Sequence, residues 1–324
     1  MAVYKLSNGG IMESITLYTQ DTGVRETSRI SELIEAFISE QDVKSSSKET
    51  YKMAISRFIE WVTTSNYSMD KLTRVEILLY KDSLILNGLS VLSVSTYLTA
   101  VRRFYEWAEA HKYYPNIAKG VKSPKSKRQF RKQALTQSQS EALIAYLSGK
   151  SVRDFAIINL LIRTGLRTIE VIRANVGDIV FKGGKRVLLI QGKGRDAKDS
   201  FVKLTDKTYN PIREYLASRS NPKDSDPLFI SESNNSKGQR LNTRTIRQVA
   251  KESLRAIGLD DKAYTAHSLR HTTAVNILRA GGAMGTVQQV LRHASINTSE
   301  IYTATIAEEM RLKTDAEELI DNLF

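Results

Sequence analysis

Three of the chain's four histidines, His267, His271 and His293, fall between positions 267 and 293. The first two flank Arg270 in TAHSLRHTTAVNIL, and the third lies in VLRHASINTSEIYTATI, where Tyr302 follows it by nine positions. A further string, RTGLRTIEVIRANVGDI, carries Arg167 and Glu170, and GKGRDAK sets Lys193, Arg195 and Lys198 in a glycine-flanked turn. These types have a shared use. The planar fork of arginine grips two oxygens of an anion at once. Histidine exchanges protons near neutral pH. A tyrosine hydroxyl, with an ordinary pKa near 10, becomes a nucleophile only where a base takes its proton or cations favour the phenolate. Without a single cysteine, the chain has no disulfides, thiolate metal sites or cysteine nucleophiles.

These groups need elements to position them. His267 and Arg270 are three apart, so they share a side if their string opens a helix. VRDFAIINLLIRTG is apolar enough for a central buried helix ending just before Arg167. KRVLLIQG and DSFVKL read as strands joined by GKGRDAK, a hairpin with a basic tip. LTQSQSEALIAYL starts at a Thr136 cap with Leu143, Ile144 and Leu147 on one face. Further helices are predicted over 207–219, 243–257, 268–280 and 285–292.

The first half reads as four helices. Ile30, Leu33, Ile34, Phe37 and Ile38 recur at helical spacing, as do Tyr51, Ile55, Phe58, Ile59 and Val62. A third helix covers Val75 to Leu86, and a fourth carries Val94, Tyr97, Leu98, Val101, Phe104, Tyr105 and Ala108. Trp61 and Trp107 fit a core better than a base-stacking role. Residues 1–27 show no periodicity and read as an arm. Between Glu109 and Glu141 there is no acidic residue, but there are Lys119, Lys122, Lys125, Lys127, Arg128, Arg131 and Lys132. With Pro115, Gly120 and Pro124 in the same stretch, 113–133 reads as a basic linker, either a solvated tether or a strap along phosphates.

The chain has 324 residues, enough for two domains, and a formal charge of +13 that points to a polyanion, nucleic acid or anionic membrane. No apolar run approaches the ~18 residues of a bilayer span, and the first residues lack a secretory signal, so a cytoplasmic protein is expected.

Taken together, TGLR-x-x-E, GKG on a hairpin, H-x-L-R-H and L-x-H with its following tyrosine resemble the tyrosine recombinase (phage integrase) family in its Xer-like form. The resemblance covers about residues 134–306, and the helical first half is similar to that family's core-binding domain. It implies a mainly α fold with a small antiparallel β-sheet in the C-terminal domain. The expected order is an arm (1–27), a helical core-binding domain (28–112), the linker (113–133) and a catalytic domain with a tail helix (134–324).

The resemblance also implies the chemistry. Arg167 and Arg270 clamp a phosphodiester whose nonbridging oxygens gain charge during attack, and His293 adds a hydrogen bond. Tyr302 attacks, His267 is the candidate base, and Lys193 protonates the leaving 5′ hydroxyl, with Lys198 as its rival. Glu170 supports the site by orienting a catalytic histidine or packing it, and His271 is structural. The product is a 3′-phosphotyrosine whose bond energy allows resealing without ATP, metal or other cofactor. One position departs from the pattern: Arg292 stands before His293, where the family usually has glycine.

The implied partners are double-stranded DNA sites and further copies of the chain, a dimer per site and a tetramer in synapsis through a Holliday junction. DNA-bending or partner recombinase proteins are possible additions. The apolar stripe of Leu312, Ala316, Leu319, Ile320 and Leu323 either docks on a neighbouring protomer or packs on its own domain. Integration or excision of a mobile element, or DNA inversion, is the expected role, with chromosome-dimer resolution as the alternative. A type IB topoisomerase and a cleavage-dead DNA-binding protein are the rivals in mechanism.

Overall fold

A computed structural model describes residues 29–125, 133–192 and 195–292, and the single positions 302, 306, 307, 311 and 321. The chain divides into two compact units at residues 129 and 130.

The first unit is a helical bundle: α1 (29–40), α2 (Ser45–Thr64), α3 (Arg74–Leu86) and α4 (Val91–Ala110). Phe37, Ile55, Phe58, Ile77, Leu98 and Phe104 are buried in one apolar cluster, as the helical spacing predicts. Phe58 sits 5.0 Å from the Tyr80 ring and 6.1 Å from Tyr105, both edge-on, an arrangement the ring quadrupoles favour. Trp107 is buried and Trp61 packs against the same cluster, so both tryptophans are core residues.

The segment after α4 corrects the sequence reading. Tyr114, Ala118 and Val121 are buried in the bundle core. Arg102 donates to the Val121 carbonyl at 3.0 Å, and Arg74 donates to the carbonyls of Lys119 and Gly120. The first part of 113–133 is therefore packed structure, because its apolar residues outweigh the turn signals of Pro115 and Gly120. Residues 126–132 and 1–28 lie outside the described residues.

The second unit holds α5 (Gln137–Ser148), α6 (Val152–Thr164), α7 (Thr168–Arg173), α8 (Asp206–Ala217), α9 (Thr243–Ala256), α10 (Ala266–Arg279) and α11 (Met284–Leu291). Thr136 caps α5 as expected: its hydroxyl accepts from the Gln139 N–H at 3.2 Å, and the Gln139 side chain returns the bond. Central α6 packs against α8 and α10. It buries Ile157, Ile158, Leu160 and Leu161 completely, each worth about 1.5–3 kcal/mol. None of the described helices is long and apolar enough to cross a membrane.

The expected hairpin exists as part of a three-stranded antiparallel sheet, β1 (Ile179–Lys182), β2 (Lys185–Ile190) and β3 (Ser200–Lys203), in that order. Sequence reading missed β1, which is only four residues long. It joins β2 through Gly183-Gly184, both at positive φ (56° and 70°), the tight turn whose twist matches a right-twisted hairpin. The mainly helical fold with a small antiparallel sheet is thus the one expected.

Candidate active site

Gly165 ends α6 at φ 63°, and a Cβ there would come within 2.4 Å of the Leu291 side chain. Only glycine takes both the left-handed turn and the close approach. That turn delivers Arg167 to the N-cap position of α7. Here the side chain of Glu170, three residues on, closes the cap: it accepts the Arg167 N–H at 2.7 Å and the Arg167 guanidinium at 2.9 Å.

Glu170 is only 1% exposed, and its carboxylate also receives the Arg292 guanidinium at 2.8 Å. The family resemblance implies that Glu170 orients a histidine or packs the site. Its described partners are two arginines, Arg167 and Arg292, which it bridges. A buried carboxylate persists because these charged donors replace its lost water.

Arg270 comes from the opposite side, in the second turn of α10, and is 2% exposed. Its guanidinium donates to the backbone carbonyls of Gly165 and Leu291, at the ends of α6 and α11. Helix C-termini are the negative ends of their dipoles and offer carbonyls without an intrahelical partner, which suits a buried cation. Burial, followed by the repulsion of Arg167, lowers the Arg270 pKa to about 10, still charged at neutral pH.

The start of α10 is set by Ser268, whose hydroxyl accepts from Thr265 N–H at 3.0 Å and donates to the Ala263 carbonyl at 2.9 Å. His267 lies in the first turn and is exposed, one turn before Arg270. His271 is buried, and burial, followed by the charge of His267, lowers its pKa to about 4, so its ring is neutral at pH 7.

Tyr302 is 3% exposed in a small cluster with Ala274, Val275, Val287 and Leu291, and its ring lies 4.9 Å from that of His271. Burial raises its pKa, while Arg270 and Arg167 pull it down. The hydroxyl is thus held neutral within the field of two arginines. Of the predicted residues, the structure brings Arg167, Glu170, Arg270 and Tyr302 into one electrostatic neighbourhood and adds Arg292 to it.

Lys193 and His293 lie outside the described residues. Lys198, the rival of Lys193, donates to both oxygens of Asp178 at 2.6 and 2.5 Å, and Asp178 is buried. Arg173 in α7 donates to the Gly192 carbonyl at 3.0 Å, anchoring the chain just before Lys193. Lys119, Lys122 and Lys125 are exposed on the first unit, while Lys127, Arg128, Arg131 and Lys132 fall outside the described residues, as does the expected stripe of the tail at Leu312, Ala316, Leu319, Ile320 and Leu323.

The sequence missed the tie between Arg292 and Glu170. Arg292 ends α11 at φ 54°, the left-handed conformation for which glycine is suited. The departure from glycine was a visible signal; its partner, 122 residues away, was not.

The sequence profile of the phage integrase family matches residues 133–309, and that of the phage integrase N-terminal SAM-like domain matches 30–112. The chain belongs to the phage integrase family. Tyrosine recombinase XerA of Pyrococcus furiosus is 28% identical over 303 residues, 93% of this chain and 99% of that one. Tyrosine recombinase XerD of Vibrio cholerae is 25% identical over 291 residues, covering 86% and 93%. Among solved structures, the XerH site-specific recombinase in a post-cleavage complex with palindromic difH substrate superposes with a TM-score of 0.69 at 22% identity, over 84% of this chain and 80% of that one. A lambda integrase dimer bound to a core site gives 0.66 at 16% identity, over 83% and 96%. These two likenesses bear on the fold. The family match and the relatives make this phage integrase member a tyrosine recombinase of the Xer type, an enzyme of site-specific recombination that cleaves and rejoins DNA.

Proposed function

We propose that Arg167, Lys193, His267, Arg270, His293 and Tyr302 perform the cleavage on double-stranded DNA sites. Arg167 and Arg270 hold the scissile phosphate and offset the charge that builds on its oxygens. Tyr302 attacks phosphorus, His267 accepts the phenol proton, His293 hydrogen-bonds the phosphate, and Lys193 gives a proton to the departing 5′ hydroxyl. The bond from phosphorus to the 5′ oxygen breaks as the bond to Tyr302 forms, so its energy is kept, and a second 5′ hydroxyl then displaces the Tyr302 oxygen and reseals the strand through a Holliday junction. Glu170 keeps Arg167 in place. The observation that carries this reading is a buried Tyr302 in the field of two held arginines, Arg270 buried on the Gly165 and Leu291 carbonyls and Arg167 part-buried on Glu170.

Lys198 is committed to the buried Asp178, which supports Lys193 as the proton donor. Lys119, Lys122 and Lys125 are read as contacts to the DNA backbone, with Lys127, Arg128, Arg131 and Lys132 continuing them. The enzyme acts as a dimer on each site and a tetramer in synapsis. Its setting is integration or excision of a mobile element, or inversion, in keeping with the Arg292 departure from the usual family pattern.

Covalent capture tests this. Tagged protein is recovered under denaturing conditions from the cells that carry it, and the attached DNA is sequenced beside a Tyr302→Phe control. Adducts at one or a few sites, absent in Tyr302→Phe, are expected, and the flanking genes identify the setting. Adducts that persist in Tyr302→Phe would overturn the nucleophile assignment. Adducts scattered at random would favour a topoisomerase.

A further inference from the structure

Arg292 is an expensive way to end a helix. At φ 54° it occupies backbone space that side chains disfavour. Its side chain is 14% exposed, and its Nε is buried with no hydrogen-bond partner. Burial lowers its pKa, and the nearby positive charge of Arg167 lowers it further. Glycine would avoid all of these penalties. Against them stand two bonds, Nη1 to the Val290 carbonyl at 2.9 Å and Nη2 to Glu170 at 2.8 Å. The first is local and available to many chain ends. The second joins the carboxylate that also holds Arg167.

We infer that Arg292 is a positioning residue for strand cleavage: it takes up part of the charge of Glu170, leaving the Arg167 guanidinium available to the scissile phosphate. This rests on the recombinase reading given above. With glycine at this position, Glu170 and Arg167 would form a neutral pair, and of the arginines only Arg270 would bring net charge to the phosphate. With Arg292 present, three guanidiniums face one carboxylate, and two positive charges are left over. That matches a phosphodiester, which carries one negative charge at rest and approaches two as the tyrosine oxygen adds.

The test uses full-length protein and a nicked duplex carrying a site mapped by covalent capture. Single-turnover adduct formation, DNA affinity and thermal midpoint are measured together. Arg292→Gly relieves the backbone, so the midpoint should hold or rise and affinity should change little, while adduct formation slows about 10- to 100-fold. Arg292→Lys should recover part of the rate. Two further readouts separate a charge role from packing. In a Glu170→Gln background the Arg292→Gly penalty should shrink, because the charge to be offset is gone. On a duplex with an uncharged methylphosphonate at the scissile position it should shrink as well.

Wild-type cleavage by Arg292→Gly would overturn the inference. So would a penalty that is the same with Glu170 or Gln at position 170, or the same on charged and uncharged linkages. If wild-type protein forms no adduct on the mapped site, the recombinase reading itself fails and takes this inference with it; adducts in wild type with an unaffected Arg292→Gly sink the inference alone.

Discussion

The two units are built on opposite principles. In the first, the described core is apolar and aromatic, with rings of Phe37, Phe58, Tyr80, Phe104, Tyr105 and Trp107 in mutual contact. No strongly buried charged group lies among its described residues. In the second, Glu170, Asp178, Arg270 and His271 are all buried. A core made of hydrocarbon is held by packing and tolerates little loss of volume. A core that contains charges is held by specific partners, and its cost is accepted where those charges are needed at a fixed place. Buried charges held at fixed places are what the proposed cleavage site needs, and the second unit has them, whereas the first has an apolar core beneath a basic surface.

The sharpest way to break this contrast is a pair of substitutions. Phe58→Ala should cost about 3–5 kcal/mol of stability by opening a cavity, while the molecules that remain folded cleave saturating DNA at an unchanged rate. Glu170→Gln should cost a similar ~3–5 kcal/mol, because it leaves two guanidiniums without their counter-charge. The guanidiniums concerned, Arg167 and Arg292, are part-buried, so the loss should fall at the lower end of that range, and adduct formation should also slow at temperatures where the protein is fully folded. Thermal unfolding and single-turnover cleavage read both. A fully active Glu170→Gln protein would erase the distinction between the units.

The next effect is pH dependence. The folded pKa of His271 is about 4, below the ordinary 6.5, so between these values the unfolded chain binds more protons. Its contribution to stability is fully present above pH 6.5 and is lost as pH falls towards 4. The loss is roughly 3 kcal/mol for the whole window. His271→Gln should flatten the stability profile there, measured by denaturant unfolding at pH 7, 5.5 and 4. Parallel profiles for the two proteins would mean that the buried ring is not what titrates.

The smallest effect belongs to the first unit's surface. Lys119, Lys122 and Lys125 are exposed on packed chain, so replacing each with alanine should reduce the slope of log affinity against log salt by about 0.9. Stability should stay within about 0.5 kcal/mol of wild type. An unchanged slope would show that this part of the basic stretch does not reach phosphate.

How far the chain could be read follows from range. Most of the helices were legible from periodicity and the start of α5 from Thr136, because both signals lie within one turn of backbone, whereas the six-residue α7 was not read. The string TGLR-x-x-E was legible as a family motif, but the left-handed turn at Gly165 and the cap that Glu170 closes on Arg167 came only from the structure. Strand β1 was lost because it buries none of its residues fully and so shows no inward–outward alternation, whereas the equally short β3 buries Val202 between exposed neighbours. The burial of Tyr114, Ala118 and Val121 was lost because turn residues and basic residues masked a sparse apolar spacing.

By itself, then, the sequence determined the helical periods, the caps, the charge and the set of residue types for phosphate chemistry, since each depends on neighbours along the chain. Only the tertiary structure decided which carbonyls hold Arg270, that Tyr302 rests against His271, and that Arg292 and Arg167 share one carboxylate. Those pairings join residues up to 122 positions apart. They exist because burial removes water and obliges each charged group to find a partner across the fold.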